Sequence, residues 1–216
     1  MHSTGLAKSA PFATDGSFTL VSPRRVLHFF APSMFDSSML APNTKSSIQL
    51  RVEAGAILRP LQVEDVTDAY VDGLNDPRVS QNLVGPRLHR QTLESVRAYV
   101  GRNWRNDRSV LFGVYIDGAL RGTVRLYDID DAGRAVMGIA LFDTAYWGQG
   151  WGSRCIRRVA EYGTRELGLR RIVAGSYERN LAAIRSFAKA GFRRTPERDY
   201  ADDYDRWITC AFTDAP

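Results

Sequence analysis

The chain is poor in the residues that announce disulfide or metal chemistry. It has 2 cysteines and 3 histidines in 216 residues. Cys155 and Cys210 cannot form the framework that staples small secreted domains, and such scarcity fits a reducing, cytoplasmic setting. Neither cysteine shares a metal-ligand spacing with His2, His28 or His89, so no metal site is expected. No run of about 18 apolar residues occurs, which leaves no candidate for a membrane-spanning helix. "SPRRVLHFFAPS" carries paired arginines, but the apolar run behind them is too short for an export signal.

What is present is enough apolar material for a core. Hydrophobic residues make up 44% of the chain and aromatics 11%, as expected for one domain with extra segments. Lys and Arg number 29 against 24 Asp and Glu, a formal charge of +5. The arginines are spread along the chain, which suits a solvated basic surface or a preference for anionic ligands. A clustered basic stripe and an aromatic strand signature are both missing, so nucleic acid is not an expected partner. Residues 1–50 are rich in Ser, Pro, Ala and Thr without periodicity. They read as a disordered or loosely packed extension, with the folded domain over 51–216.

From Ala56 onward the text becomes periodic. "AILRPLQ" alternates as a short strand. Val66, Ala69, Tyr70, Gly73 and Leu74 share one helical face, and Asp76-Pro77 ends that helix. Thr92 caps a second helix with Leu93, Val96, Val100 and Trp104 on its apolar face. Two β-rich runs meet at Asp117-Gly118, a strong hairpin signal, and a further turn over 128–133 leads to the strand "AVMGIALF". "SRCIRRVAEYGTREL" reads as a helix, "RIVAGS" as a strand, and Asn180 caps "LAAIRSFAKA". "FRR" and "RWITCAF" close the chain as paired strands. This order predicts an α+β fold, a mixed and mostly antiparallel sheet flanked by helices.

"YWGQGWGS", residues 146–153, is the motif that carries chemistry. It lacks the Lys-Ser/Thr pair of a Walker A loop. Gly148 and Gly150 begin a dinucleotide fingerprint that Ser153 then breaks, and the kinase signatures are absent. Glycines at 148, 150 and 152 ahead of a helix let several backbone N–H groups converge on one anion. The same glycines also suit a tight strand-to-helix turn, and the loop alone leaves both readings open.

Taken with "AVMGIALF" before it and "NLAAIRSFAKAGF" after it, the loop resembles the GNAT superfamily of acetyl-CoA-dependent N-acyltransferases. The likeness covers roughly Ala56 to Phe212, and the lead-in is most similar to ribosomal-protein, spermidine and amino-sugar acetyltransferases. The resemblance implies acetyl-CoA as co-substrate and no metal. It implies that Ile139, Ala140 and Leu141 pair with the pantetheine arm. Trp147, Gly148, Gln149, Gly150, Trp151, Gly152 and Ser153 would form the pyrophosphate loop, and Asn180 and Phe187 would border the cofactor. The acceptor would be a small amine, an amino sugar or a protein N-terminus, and homodimers are frequent among such proteins.

Two departures bear on chemistry. The position that often holds a tyrosine proton donor is Phe187, and the strand position that often holds a glutamate is Val136. Trp147 replaces the motif's usual Gln or Arg. His89 and Tyr177 are the remaining candidates for base and acid. Loss of both usual groups motivates an alternative, a non-catalytic acyl-CoA-binding module.

Overall fold

The described residues of the computed structural model, 35–52, 55–196, 199–201 and 204–213, form seven α-helices and one sheet. The strands are β1 (Leu50–Arg51), β2 (Ile57–Pro60), β3 (Val110–Ile116), β4 (Ala119–Tyr127) and β5 (Arg134–Leu141). They continue with β6 (Arg171–Tyr177), β7 (Arg193–Arg194), β8 (Tyr200–Ala201) and β9 (Arg206–Phe212). The sheet order is β1-β2-β3-β4-β5-β6-β9-β7, with β8 beside β9. β5 and β6 pair in parallel, and every other pairing is antiparallel. The expected mixed, mostly antiparallel sheet is therefore the observed one.

Most local signals act where they were expected. Asp117 and Gly118 take φ of 52° and 75°, the positive values a tight β3–β4 hairpin requires. Thr92 accepts from Ser95 N at the start of α5 (Leu93–Arg105), as expected; α2 (Asp68–Asn75) starts later than expected, because Thr67 caps it by accepting from Tyr70 N, which leaves Val66 ahead of the helix. Between them lie two short helices that the sequence pattern does not reveal, α3 (Pro77–Ser80) and α4 (Val84–Leu88). α6 (Trp151–Arg165) joins β5 to β6, and α7 (Leu181–Lys189) follows β6.

The sheet separates two apolar layers. Ala135 and Met137 of β5 face Cys155, Ile156 and Val159 of α6, with Ile139 and Leu141 packed at the border. On the other face Leu61, Leu111 and Phe142 pack against Tyr70, Val96 and Val100 of α2 and α5. Odd-numbered and even-numbered positions of β5 thus serve opposite faces, as a pleated strand demands. No helix among the described residues is long and apolar enough to cross a membrane.

The domain starts earlier than composition suggests. Phe35, Leu40 and Leu50 are buried in the first layer, so residues 35–50 belong to the folded unit rather than to an extension. The short helix α1 (Pro42–Lys45) supplies the reason. Lys45 is 1% exposed, and its Nζ donates to the carbonyls of Asn103, Trp104 and Asn106 at 2.9, 3.0 and 2.7 Å. They lie at the C-terminal end of α5, where helix carbonyls lack intrahelical donors and a cation meets the negative end of the helix dipole; Asn106 O also accepts from Ser109 N at 3.3 Å. A low-hydrophobicity stretch is thereby tied down by one lysine and a few apolar anchors. The expectation of disorder over 1–34 lies outside the described residues.

Burial pulls the Lys45 ammonium down to about 8 from its ordinary 10.5, against the raising effect of the Asp107 carboxylate. Between those values the unfolded chain holds a proton that the folded chain has released, so stability from this group rises with pH across that window. Lys45→Met leaves the Asn103 and Trp104 carbonyls without the lysine donor and the Asn106 carbonyl with Ser109 N alone. Urea unfolding at pH 7 is expected to show a loss of about 2–4 kcal/mol. The variant's stability is also expected to lose the lysine's rise between pH 8 and 10.5.

Candidate active site

β5 and β6 are hydrogen-bonded from Arg134–Arg171 to Met137–Ala174 and then part, although β5 runs on to Leu141 and β6 to Tyr177. The first residue beyond the ladder on each strand is a glycine, Gly138 and Gly175. Phe142 N donates to Arg121 O at 3.1 Å, and the β4–β5 register sets Ala140 opposite Thr123 and Leu141 opposite Gly122. In an antiparallel ladder residues alternate between bonding the partner and facing away from it. The backbone groups of Gly138 and Ala140 are therefore spent on β4, while those of Ile139 and Leu141 face the gap. Of the three residues expected to offer backbone groups to a ligand there, Ala140 does not. Leu141 O accepts from the indole Nε1 of Trp147 at 2.8 Å.

The loop from β5 to α6 is pinned by its own side chains. Asp143 accepts from Ala145 N, and Gln149 Nε2 donates to Ala145 O at 2.7 Å. Gly148 and Gly150 have φ of 74° and 81°, and Gly150 is the cap of α6. The N–H groups of Gly148, Gln149, Gly150, Trp151, Gly152 and Ser153 donate to no acceptor among the described residues; the first return bond is Arg154 N to Gly150 O. Six amides without partners among the described residues and a helix N-terminus thus follow directly on the end of β5. The Arg154 guanidinium lies over the Trp151 ring at 4.4 Å and donates to Gln149 O. Trp147, which stands where a charged side chain is usual, keeps its ring 40% exposed beside this cradle.

The other expected site residues fall into two groups. Asn180 caps α7, its Oδ1 accepting from Ala183 N at 3.1 Å, close to where β6 leaves the gap. Phe187 is buried, its ring 5.1 Å from that of Phe192, and it borders a small cavity of about 40 Å³ with Gly175, Ser176 and Cys210. It is a core residue behind β6. His89 is exposed at the C-terminal end of α4, and its side chain makes no hydrogen bond among the described residues. Among the described residues no carboxylate bonds to it to orient it as a base. Tyr177 is 1% exposed, held edge-on by Tyr204 and Trp207 with ring centroids 5.0 Å away in both cases. It is a packed wall residue, not a group open to a leaving thiolate. The aspartates of the 128–133 turn do turn chemistry: Asp130 accepts from Ala132 N and Arg134 N, and Asp131 pairs with Arg108.

Sequence reasoning missed Arg87, Arg125 and Trp207, and reads the segment 198–206 that contains Tyr204 first as an exposed hairpin loop. Arg87 Nη2 donates to the Tyr177 hydroxyl at 3.3 Å, and its guanidinium sits 3.8 Å from the centroid of Tyr204. These contacts join positions ninety or more apart in the chain and leave no local pattern.

Comparison with known proteins now decides the family. A model described as an acetyltransferase (GNAT) domain matches residues 56–193. The chain belongs to the GNAT acetyltransferase family. A probable N-acetyltransferase of Bacillus subtilis, YjcK, is 37% identical over 91 residues, which cover 41% of this chain and 50% of that protein. The match thus spans about half the length of that relative. A GNAT-family acetyltransferase from Bacillus anthracis superposes with a TM-score of 0.65 at 20% identity, covering 77% of this chain and 98% of the other. The ribosomal L7/L12 α-N-protein acetyltransferase RimL, solved with coenzyme A, gives 0.67 at 19% identity over 77% and 98%. The aminoglycoside acetyltransferase AAC(6′)-Ib, solved with acetyl-CoA, gives 0.62 at 20% identity over 74% and 93%. These solved structures share the fold with this GNAT chain.

A Cβ on Gly175 would lie 2.0 Å from Trp207 Nε1, so the indole seals the β6 side of the gap only because that position lacks a side chain. Gly175→Ala must push Trp207 aside. Thermal melts are expected to show a loss of about 1–3 kcal/mol, with a shift in tryptophan emission as the indole moves.

Proposed function

We propose that the protein transfers the acetyl group of acetyl-CoA to a primary amine by direct attack on the thioester. The observation that carries this reading is one arrangement. A parallel strand pair opens at Gly138 and Gly175, the free backbone groups of Ile139 line the opening, and six loop amides without partners among the described residues follow directly on the end of β5. In this reading the amides of Gly148 to Ser153 hold the pyrophosphate, with Arg154 at the rim. The backbone of Ile139 bonds the pantetheine arm or polarises the thioester carbonyl. The Trp147 indole is displaced from Leu141 O when that carbonyl takes a ligand.

The chemistry asks little more of the chain. The amine nitrogen forms a bond to the carbonyl carbon, the carbon–sulfur bond breaks, and the sulfur leaves with the electron pair. A thiol of pKa about 8.5 is a tolerable leaving group as thiolate, so a dedicated acid is dispensable. Polarisation by a preorganised N–H lowers the barrier by a few kcal/mol, on the order of what one oxyanion donor supplies elsewhere. The proton of the amine leaves to water. His89, exposed and unoriented, is not assigned a role. The acceptor is a small amine or the N-terminus of a protein, and the reaction is set in the cytoplasm.

Thiol release from acetyl-CoA with a panel of amines tests the activity, and its absence despite coenzyme A binding would favour a binding module. His89→Ala is expected to keep kcat/KM within about twofold of wild type from pH 6 to 9. Ser153→Asp separates binding from folding. A carboxylate in the first turn favours the helix but repels a pyrophosphate at the same amides. Calorimetry is expected to show at least about tenfold weaker coenzyme A binding with an unchanged or higher melting temperature.

A further inference from the structure

The sheet face opposite α6 carries charge that the cofactor reading does not use. Gly138 and Gly175 both leave this face bare, and each is bordered by an aromatic side chain. A Cβ on Gly138 would meet Tyr127 at 4.0 Å, and Trp207 covers Gly175. Arg125 stands on this face as the cross-strand partner of Gly138. Its guanidinium lies over Tyr127 at 4.3 Å and Tyr99 at 5.5 Å, and its one side-chain hydrogen bond among the described residues is from Nε to Ser109 Oγ at 3.3 Å. On the β6 side, Arg87 stacks on Tyr204 and reaches the Tyr177 hydroxyl, while its Nε is buried with no acceptor among the described residues.

Neither arginine makes an ion pair with a described carboxylate. Asp205, next in sequence to the Tyr204 on which Arg87 stacks, is paired with Arg179 at 2.9 Å. Half-buried guanidinium groups without a counter-charge are costly, and stacking on tyrosine rings fixes their direction without neutralising them. Arg125 is the cross-strand partner of Gly138 on β5, and Arg87 bonds Tyr177 at the end of β6, so each is tied to one of the two strands that part. We infer that the acceptor amine also carries a carboxylate, which Arg125 and Arg87 hold at the rim while the amine enters the gap. Planar guanidinium groups match a carboxylate in bidentate fashion, and the same pair repels a polycation. The assignment rests on the acetyl-transfer reading.

The test measures kcat/KM for acetyl-CoA-dependent acetylation of matched acceptors: free glutamate, an acidic dipeptide, the same dipeptide with its carboxylates amidated, spermidine and an aminoglycoside. The acidic dipeptide or glutamate is expected to exceed the amidated form by at least about tenfold, the polycations being slowest. Comparison of glutamate with the dipeptide separates a free amino acid from a peptide N-terminus as the source. Arg125→Met and Arg87→Met are each expected to lower the acid-to-amide ratio toward one, while Arg125→Lys keeps a clear preference. Spermidine, the aminoglycoside or the amidated dipeptide as best acceptor, or a ratio unchanged in both methionine variants, overturns the assignment. So does coenzyme A binding without transfer to any acidic acceptor. Failure to bind coenzyme A at all instead overturns the reading beneath it.

Discussion

Backbone N–H and C=O groups inside a sheet must find partners, and the parting of β5 from β6 after Met137 and Ala174 breaks that requirement at one place. Everything proposed for function depends on this lapse. Ile139 is left with its donor and acceptor facing a gap, and Leu141 O is satisfied by a side chain that can be displaced, the exposed indole of Trp147. The loop that follows compounds the effect, because a helix N-terminus always leaves its first N–H groups without partners. Two sources of unmet hydrogen bonding, one from a strand and one from a helix, are thus placed end to end. An extended ligand with amide groups along one part and a pyrophosphate at its end satisfies both.

The rest of the fold holds this opening in place. α6 packs its apolar face on Ala135 and Met137, which fixes the loop amides relative to β5. Behind β6, α7 is buried through Phe187, and its cap Asn180 sets where the chain turns away from the gap. On the far face the Arg87 and Tyr204 contacts tie α4 to the strands, with Tyr204 OH donating to Gln81 O at 3.0 Å. Lys45 does the equivalent for the N-terminal segment by capping α5.

Local physics made much of this legible in the sequence. The Asp117-Gly118 turn, the Thr92 and Asn180 caps and the 146–153 loop are each fixed by residues within a few positions of one another, so a linear reading finds them. The boundary at 51 failed because Ser- and Pro-rich composition hides the few anchors that matter: Phe35, Leu40, Lys45 and Leu50 act through partners far along the chain. Ala140 was grouped with Ile139 and Leu141 because only the strand register shows which backbone groups β4 consumes. Tyr177 carried a suitable functional group, yet burial under Tyr204 and Trp207 gives it a packing role. Arg87 and Arg125 look like ordinary basic residues until the fold stacks them on tyrosines with no ion pair to a described carboxylate.

The central claim is that the β5–β6 gap and the loop beyond it form one continuous binding site for an acyl-CoA. Backbone amide NMR during a coenzyme A titration tests it most directly. The account predicts the largest shifts at Ile139, Leu141 and Gly148 to Ser153, together with the Trp147 indole N–H as it leaves the Leu141 carbonyl. Saturable binding that leaves these signals unmoved and perturbs another surface would contradict it.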